Sequence, residues 1–599
     1  MRTLRLLLVA AVAVSLGSPG IAEAPRPNVL LISIDTLRAD AVGDGKGTPA
    51  LEAFLRQATR FAGARTPVPL TLPAHVSLFS GLQPARHGIH DNASPGLLPG
   101  RPFTLLAEEF LEAGYDTAAF VSAAVLDPRT GIGEGFRLYD LPRAAAPEFQ
   151  DYGETPAEVR VASVLEWLRQ RRSKRPSFLF VHFFDAHEPY LPYAGSDARP
   201  ATAAGDPDAV RYAGEVSRVD AAIERLLAAI PASTLVVITS DHGESLGEHG
   251  EQTHGMLCFG ATSSIFLAAR GPRLEPGAVV AGPRSLCDIA PTVRSWCGLA
   301  EKSADGTRLF DPPKEAILTE SLYAWRTHGW GQCFAVSDGT TTLVEGGRNV
   351  RLFETGADPA ERTSVEPGQH PAYERLDRAL AALRKSRRDA PAPAATLQID
   401  TPYGTARRPD LCYLARPENA RLPDPAEQMA FWESLRLIQR GSTEAYRRHD
   451  TAALIKYAEQ LESLAARDSS NPAPRFEIAR VSARLANLTR SREWHRCSSV
   501  ATRQAMERGY WDPMLLFGAF EQALRSEDAG ELRAVLELAK DLRSRPDLAC
   551  LRLAREAALR LAGARDPAAL ELYRTLFERV REKASTEAER AALAELEPS

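Results

Sequence analysis

Residues 28–34 read NVLLISI and run into Asp35. Residues 177–184 read SFLFVHFF and run into Asp185, Ala186 and His187, and residues 233–240 read STLVVITS and run into Asp241 and His242. Each is a near-continuous run of apolar and β-branched residues, the pattern of a strand buried on both faces. DTAAFV (116–121) and SIFLAA (264–269) continue the series, with intervals long enough for helical crossovers. Between the first two runs, Leu51, Phe54, Leu55 and Ala58 form a helical stripe behind Thr48 and Pro49, a cap followed by proline at the first helical position. The expectation is an α/β fold with a mostly parallel sheet flanked by helices.

Further along, EAILTESLY, GQCFAVSDGTTTLVEG and NVRLFET alternate and are separated by turn residues, as short antiparallel strands are. The domains expected are a leader over 1–22, an α/β catalytic domain over 23–300, and a small antiparallel subdomain over 301–385. A linker over 386–425, rich in Pro and Ala, precedes an all-α, repeat-like domain over 426–599. In that tail DTAALIKYAEQLESLAARD, then Asn471 and Pro472, then APRFEIARVSARLANL make helix, turn, helix. The pattern resembles a degenerate tetratricopeptide repeat and suits a protein partner; a plain helical bundle is the alternative. The linker implies that a chain ending near Asp389 keeps its activity while the tail folds alone.

The 599 residues carry 72 Lys and Arg against 77 Asp and Glu, a formal net charge of −5. That balance excludes the basic footprint of a nucleic-acid binder. Seven scattered cysteines without a CxxC pair argue against a disulfide scaffold or a metal finger. At the N-terminus Arg2 and Arg5 precede an apolar run from Leu6 to Leu16, followed by the small residues Gly20, Ala22 and Ala24. This is the layout of a secretory signal, with cleavage after Ala22 favoured because Pro25 follows Ala24. The run is shorter than the roughly 20 residues a bilayer needs, and no later segment replaces it. The expectation is an exported protein, periplasmic or extracellular, without a transmembrane anchor.

Nine of the twelve histidines precede residue 330, which locates the chemistry in the α/β part. Ligands of open α/β sheets bind outside the carboxyl ends of the strands, so Asp35, Asp185, His187, Asp241 and His242 should converge on one crevice and bind metal. At this point Asp35 in ISIDTLRAD, TLPAHVSLFSG (71–81) with the following Pro84 to Gly88, and TSDHGESLGEHG (239–250) resemble the three signature blocks of the sulfatase branch of the alkaline phosphatase superfamily. RLFETGADPAERTSV (351–365) is similar to the end of the sulfatase subdomain, so the resemblance covers about 27–366. The departures are specific. Thr71 stands where type I sulfatases have the Cys or Ser that becomes formylglycine, and Ala74 and His75 stand in the Ser and Arg positions. The two family lysines are missing, since no lysine lies between 46 and 174 or between 174 and 302, and Ser122 to Ala124 lacks the accompanying histidine. These features are similar to the threonine-using members, such as phosphoethanolamine transferases, lipoteichoic acid synthases and nucleotide phosphodiesterases. The pair His254 and Gly255 in particular is similar to the transferase block.

The resemblance implies that Thr71 is the nucleophile and that Asp35, Asp241 and His242 hold a divalent metal together with the Thr71 oxygen. A histidine ligand, and Thr36 in place of a second acid, favour zinc or manganese over calcium. Asp185, His187, His254 and His328 would bind a second ion or grip the ester, leaving one ion or two open. His75 would donate to the transferring group, with Thr36, Glu244 and His249 standing behind the ligands. His87 and His90 should shape a loop, and His182 should be a satisfied core residue. The function expected is a metal-dependent hydrolase of an anionic ester, a phosphate ester or phosphonate, through a covalent Thr71 intermediate and without formylglycine. The alternatives are a sulfuric ester hydrolase that lacks formylglycine and a non-catalytic binding protein acting through its tail.

Overall fold

The computed structural model describes residues 26–92, 96–97, 100–141, 155–190, 206–389, 396–401, 404–409, 422–510, 513–541, 548–563, 566–582 and 587–598. The leader over 1–22 lies outside the described residues. Strands β1 (Val29–Ile34), β2 (Thr59–Arg65), β3 (Asp116–Phe120), β4 (Leu138–Asp140), β5 (Ser177–Phe183), β6 (Leu235–Ser240), β7 (Leu267–Arg270) and β8 (Val279–Ser285) form one sheet. Its order is β4-β3-β5-β1-β6-β7-β2-β8, and all neighbours are parallel except β7, which opposes both β6 and β2.

The apolar runs alternate between two cores. Val29, Leu31, Phe178, Phe180 and Val237 face one side, with the helix Thr71–Ser80 packed on it. Leu30, Ile32, Leu179, Val181, Val236 and Ile238 face the other, under the helices Ala157–Gln170 and Pro207–Ala229. Each such side chain contributes about 1.5–3 kcal/mol on burial, which is why both faces must be covered. Register then positions the site: Ile34 is level with Phe183 on one side and Ser240 on the other, so the residues that follow all three strands emerge at one edge.

Strands β2 and β8 are not legible as apolar runs, because TRFAGAR and VVAGPRS trade side chains for close approach. A Cβ on Gly63 would stand 2.4 Å from the carbonyl oxygen of Gly282, and the pairing shifts register between Phe61 and Gly63. The helix Pro49–Leu55 starts where expected but Thr48 does not cap it with its side chain. The Asp220 carboxylate accepts from Ala50 N–H and Leu51 N–H instead, at 2.9 and 2.8 Å.

The small subdomain is a four-stranded antiparallel sheet of β9 (Ile317–Ser321), β10 (Cys333–Ser337), β11 (Thr342–Gly346) and β12 (Asn349–Phe353), in the order β12-β11-β10-β9. Leu376 and Leu380 of the helix Tyr373–Asp389 cover Phe334, Val336 and Leu343 of this sheet. The interval expected to be a linker is partly structured: β13 (Thr396–Thr401) and β14 (Gly404–Pro409) pair as an antiparallel hairpin, while 390–395, 402–403 and 410–421 lie outside the described residues.

The tail is helical throughout, each helix packing on the one before it from Met429–Arg447 to Ala568–Arg581. Asn471 Oδ1 accepts from Ala473 N–H at 3.0 Å, so the Asn-Pro turn starts the third helix as expected. The later tail helices enclose a cluster of their own, with Phe520, Val535, Leu551 and Phe577, but the first ones share theirs with the catalytic unit. Met429, Phe431, Trp432 and Leu435 belong to the same cluster as Met256, Phe259, Trp330, Val344 and Phe353. Among the described residues no helix is long and apolar enough to cross a membrane.

Candidate active site

Asp35 directly follows β1 and Asp241 directly follows β6, and both are fully buried. Neither carboxylate oxygen of Asp35 has a hydrogen-bond partner, nor has Oδ2 of Asp241. Oδ1 of Asp241 accepts from the N–H groups of His242 at 2.8 Å and Thr36 at 3.3 Å. Thr36 holds φ at 57°, a left-handed conformation uncommon for a β-branched residue. Its hydroxyl bonds the carbonyl of Ala186 at 2.8 Å, tying the ends of β1 and β5 together. His242 Nδ1 is 2.9 Å from the carbonyl of Gly243 and donates to it, leaving Nε2 as an acceptor. That nitrogen stands 3.4 Å from Asp241 Oδ2, 3.8 Å from Asp35 Oδ1 and 3.5 Å from Thr71 Oγ1.

These orphaned atoms fit a divalent cation. Ligand atoms of Asp35, Asp241 and His242 lie within 4.8 Å of one another, and a buried carboxylate pair without a counter-charge is costly. Burial pushes Asp35 up and Asp241 up to about 7, and pulls His242 down to about 4. The neutral imidazole is the form that ligates. Thr71 opens the helix Thr71–Ser80, so its hydroxyl sits where amide dipoles favour an anion. The Leu72 N–H is taken by Asn92 Oδ1 at 2.9 Å, a partner the sequence did not reveal because it lies 20 residues on in a loop.

Two histidines face this group. His187 is stacked on Phe184 with ring centroids 4.2 Å apart, and its Nδ1 donates to the carbonyl of Glu188 at 2.6 Å. His254 meets His187 edge-on at 5.1 Å and His242 at 4.4 Å. Its Nδ1 is 3.0 Å from Glu244 Oε1, so Glu244 stands behind His254. Both rings therefore have Nδ1 engaged, by a backbone carbonyl in His187 and by a carboxylate in His254.

Five expected roles are corrected. Asp185 accepts from Ala157 N–H at 2.9 Å and caps that helix, facing Arg218 at 3.6 Å, so it is committed away from the crevice. His75 is fully buried, its Nδ1 donating to the Thr71 carbonyl at 2.8 Å and its Nε2 accepting from Ser33 Oγ at 2.9 Å. It lies behind Asp241, 3.6 Å from Oδ2, and has no nitrogen left for a transferring group. His249 stacks on Phe259 at 3.7 Å. His328 stacks on Trp330 at 4.3 Å and accepts from Asn471 Nδ2 of the tail at 3.4 Å. His182, expected to be a satisfied core residue, is buried with neither ring nitrogen hydrogen-bonded, and its Nε2 is 3.5 Å from Asp35 Oδ2.

His75, His182 and Asp241 form a second group of metal-ligand type, but an ion there has to displace a buried hydrogen bond of His75. His87 and His90 do shape their loop, through Ser77 Oγ at 2.9 Å and Glu320 at 2.7 Å.

Residues 27–299 match the family model of sulfatases. The choline-sulfatase of Rhizobium meliloti (strain 1021) is 24% identical over 429 residues, covering 57% of this chain and 82% of that protein. Among solved structures, the phosphonate monoester hydrolase of Silicibacter pomeroyi superposes with a TM-score of 0.50 at 21% identity, covering 64% of this chain and 99% of that one. A protein solved in complex with its substrate D-glucosamine-2-N,6-O-disulfate superposes with a TM-score of 0.51 at 16% identity, covering 61% of this chain and 98% of that one. With the convergent strand ends and the Asp35, Asp241 and His242 group, these likenesses make residues 27–299 a sulfatase-like domain, with the fold of the solved structures and sequence similarity to hydrolases of sulfate or phosphate esters.

Proposed function

We propose that this protein is an exported, metal-dependent hydrolase of phosphate esters or phosphonates that works through a phosphorylated Thr71. The observation that carries the reading is the position of Thr71 Oγ1 at a helix N-terminus, 3.5 Å from Nε2 of His242 and beside the buried Asp35 and Asp241. Asp35, Asp241, His242 and Thr71 would hold zinc or manganese. A bound ion of this kind supplies charge that favours the ionised threonine oxygen.

Thr71 Oγ forms the bond to phosphorus as the bond to the leaving oxygen breaks. Water then attacks phosphorus as the bond to Thr71 Oγ breaks, a proton of that water restores the hydroxyl, and phosphate, or the phosphonate from a phosphonate ester, is released. His187 and His254, whose rings meet edge-on at 5.1 Å beside His242, would hold the non-bridging oxygens. Asp185 uses Oδ1 to cap a helix and Glu244 uses Oε1 to hold His254, and the reading needs only the ion held by Asp35, Asp241 and His242.

The preference for phosphate follows from the nucleophile. A formylglycine hydrate has a second hydroxyl whose deprotonation expels sulfate by C–O cleavage. Threonine has one hydroxyl and no such exit, whereas a threonine phosphate can be attacked at phosphorus. Export rests on the charged and apolar pattern of residues 1–22, and N-terminal sequencing of the secreted protein should begin at Glu23.

Acid quench of the metal-loaded enzyme during turnover of a chromogenic phosphate ester, followed by peptide mass analysis, should find phosphate on Thr71. Faster turnover of sulfate esters than of phosphate esters, or phosphate on another residue, would overturn the proposal.

A further inference from the structure

The loop that carries His187 and the loop that carries His254 are fastened to one element of the tail, the helix Met429–Arg447. On the first loop the Glu188 carboxylate accepts from the guanidinium groups of Arg436 and Arg440. Arg436 is braced in turn by Glu433, which accepts from its Nε at 2.8 Å. On the second loop Met429 packs against Gly250: a Cβ at Gly250 would stand 3.0 Å from that of Met429. Met429 also shares a hydrophobic cluster with Met256 and Leu257, just past His254.

We propose that this helix is a wall of the active site, and that Arg436 and Arg440 are positioning residues for His187. The coupling passes through one amino acid. Glu188 has its side chain held by the tail and its carbonyl 2.6 Å from Nδ1 of His187, so whatever fixes Glu188 fixes which way Nε2 of His187 points. The side chains of Arg436 and Glu188 are only 15% and 19% exposed. An ion pair so far out of water loses more when one partner is removed than a surface pair does. The tail is thus a working part of the hydrolase. The catalytic side of this inference rests on His187 gripping the ester.

The test compares the full, metal-loaded chain carrying Arg436→Met with Arg440→Met, the same pair changed to Lys, and Glu188→Gln. In the double Met and Glu188→Gln variants, kcat/KM on whichever ester the wild type hydrolyses should fall about ten-fold or more, with metal content unchanged. The double Lys variant, which keeps the charges, should stay within about three-fold of wild type. Amide hydrogen exchange over 184–190 should rise in the Met and Gln variants and not in the Lys variant. Exchange needs no turnover, so a wild type inactive on both phosphate and sulfate esters would sink the proposed function and leave this inference to be decided by exchange. Unchanged exchange in the Met and Gln variants, or faster exchange with full activity, overturns it. If the double Met variant does not fold, Glu188→Gln, which keeps both arginines, gives the same two readings.

Discussion

Nε2 of His242 stands 3.5 Å from Thr71 Oγ1 while Nδ1 of the same ring is committed to the carbonyl of Gly243, 2.9 Å away. One residue leads off from the central sheet and the other opens the helix lying over it, so their separation is fixed by packing between two buried elements and not by a loop. That is the condition under which a reacting oxygen and a cation can be held to a few tenths of an ångström.

The buried carboxylates should bind metal before they serve anything else. Asp241→Asn and His242→Ala each remove an atom of the Asp35, Asp241 and His242 group, so elemental analysis of the purified variants should show metal and ester turnover lost together. Full occupancy with lost turnover would mean that these residues act on the substrate.

Thr71→Ala should abolish turnover, by about three orders of magnitude or more, while metal stays bound through the other three residues. Thr71→Ser keeps the hydroxyl and should retain much of the rate. An active Ala variant would remove Thr71 from the chemistry.

Convergence of Asp35, Asp241 and His242 is legible from the chain because parallel strands buried on both faces announce themselves as apolar runs, and the residue after each run falls on one edge. What happens on the faces is less legible. Ser33 and His182 lie level in adjacent strands, and on β5 the position of His182 continues the Phe178 and Phe180 side of the sheet. From sequence His182 therefore looks like one polar residue tolerated in a core. Only the fold shows that it faces Asp35 and touches His75 edge-on at 4.9 Å. Asp185 misleads in the opposite direction: the edge of the sheet is right, but a helix N-terminus takes its side chain.

From that position His182 should matter to the metal. Its Nε2 lies 3.5 Å from Asp35 Oδ2, on a carboxylate with no hydrogen-bond partner. His182→Leu keeps the volume and removes the polar contact, so metal affinity by competition with a chelator should weaken about ten-fold or more. Unchanged affinity would return His182 to the core.

Acid should loosen the helix Thr71–Ser80 through His87. Its Nδ1 accepts from Ile89 N–H at 3.1 Å and its Nε2 donates to Ser77 Oγ at 2.9 Å, so the neutral ring is fully used. Burial pulls its pKa from the ordinary 6.5 to about 3. Between those values the unfolded chain binds a proton that the folded chain refuses, so stability falls as pH falls, by about 1.4 kcal/mol per pH unit for one such group. His87→Gln should flatten the dependence of the unfolding midpoint on pH over 6.5 to 5. An equal slope in both proteins would show that the ring does not titrate there.

A chain ending at Asp389 should not behave as a trimmed enzyme, although the Pro- and Ala-rich stretch beyond it invites that cut. Met429, Phe431, Trp432 and Leu435 complete a cluster whose other members include Met256, Phe259, Trp330 and Val344. Removing them exposes large apolar side chains next to the His254 loop, and each fully buried one contributes about 1.5–3 kcal/mol. Several such losses equal or exceed the net stability of a typical domain, about 5–15 kcal/mol. The truncated chain should therefore aggregate or unfold at a much lower temperature. A chain that keeps residues up to Thr489 restores the helix Met429–Arg447 with the two helices that pack beside it, and should recover solubility and part of the turnover. A soluble, fully active chain ending at Asp389 would show that the shared cluster is dispensable and that the tail only rides on the enzyme.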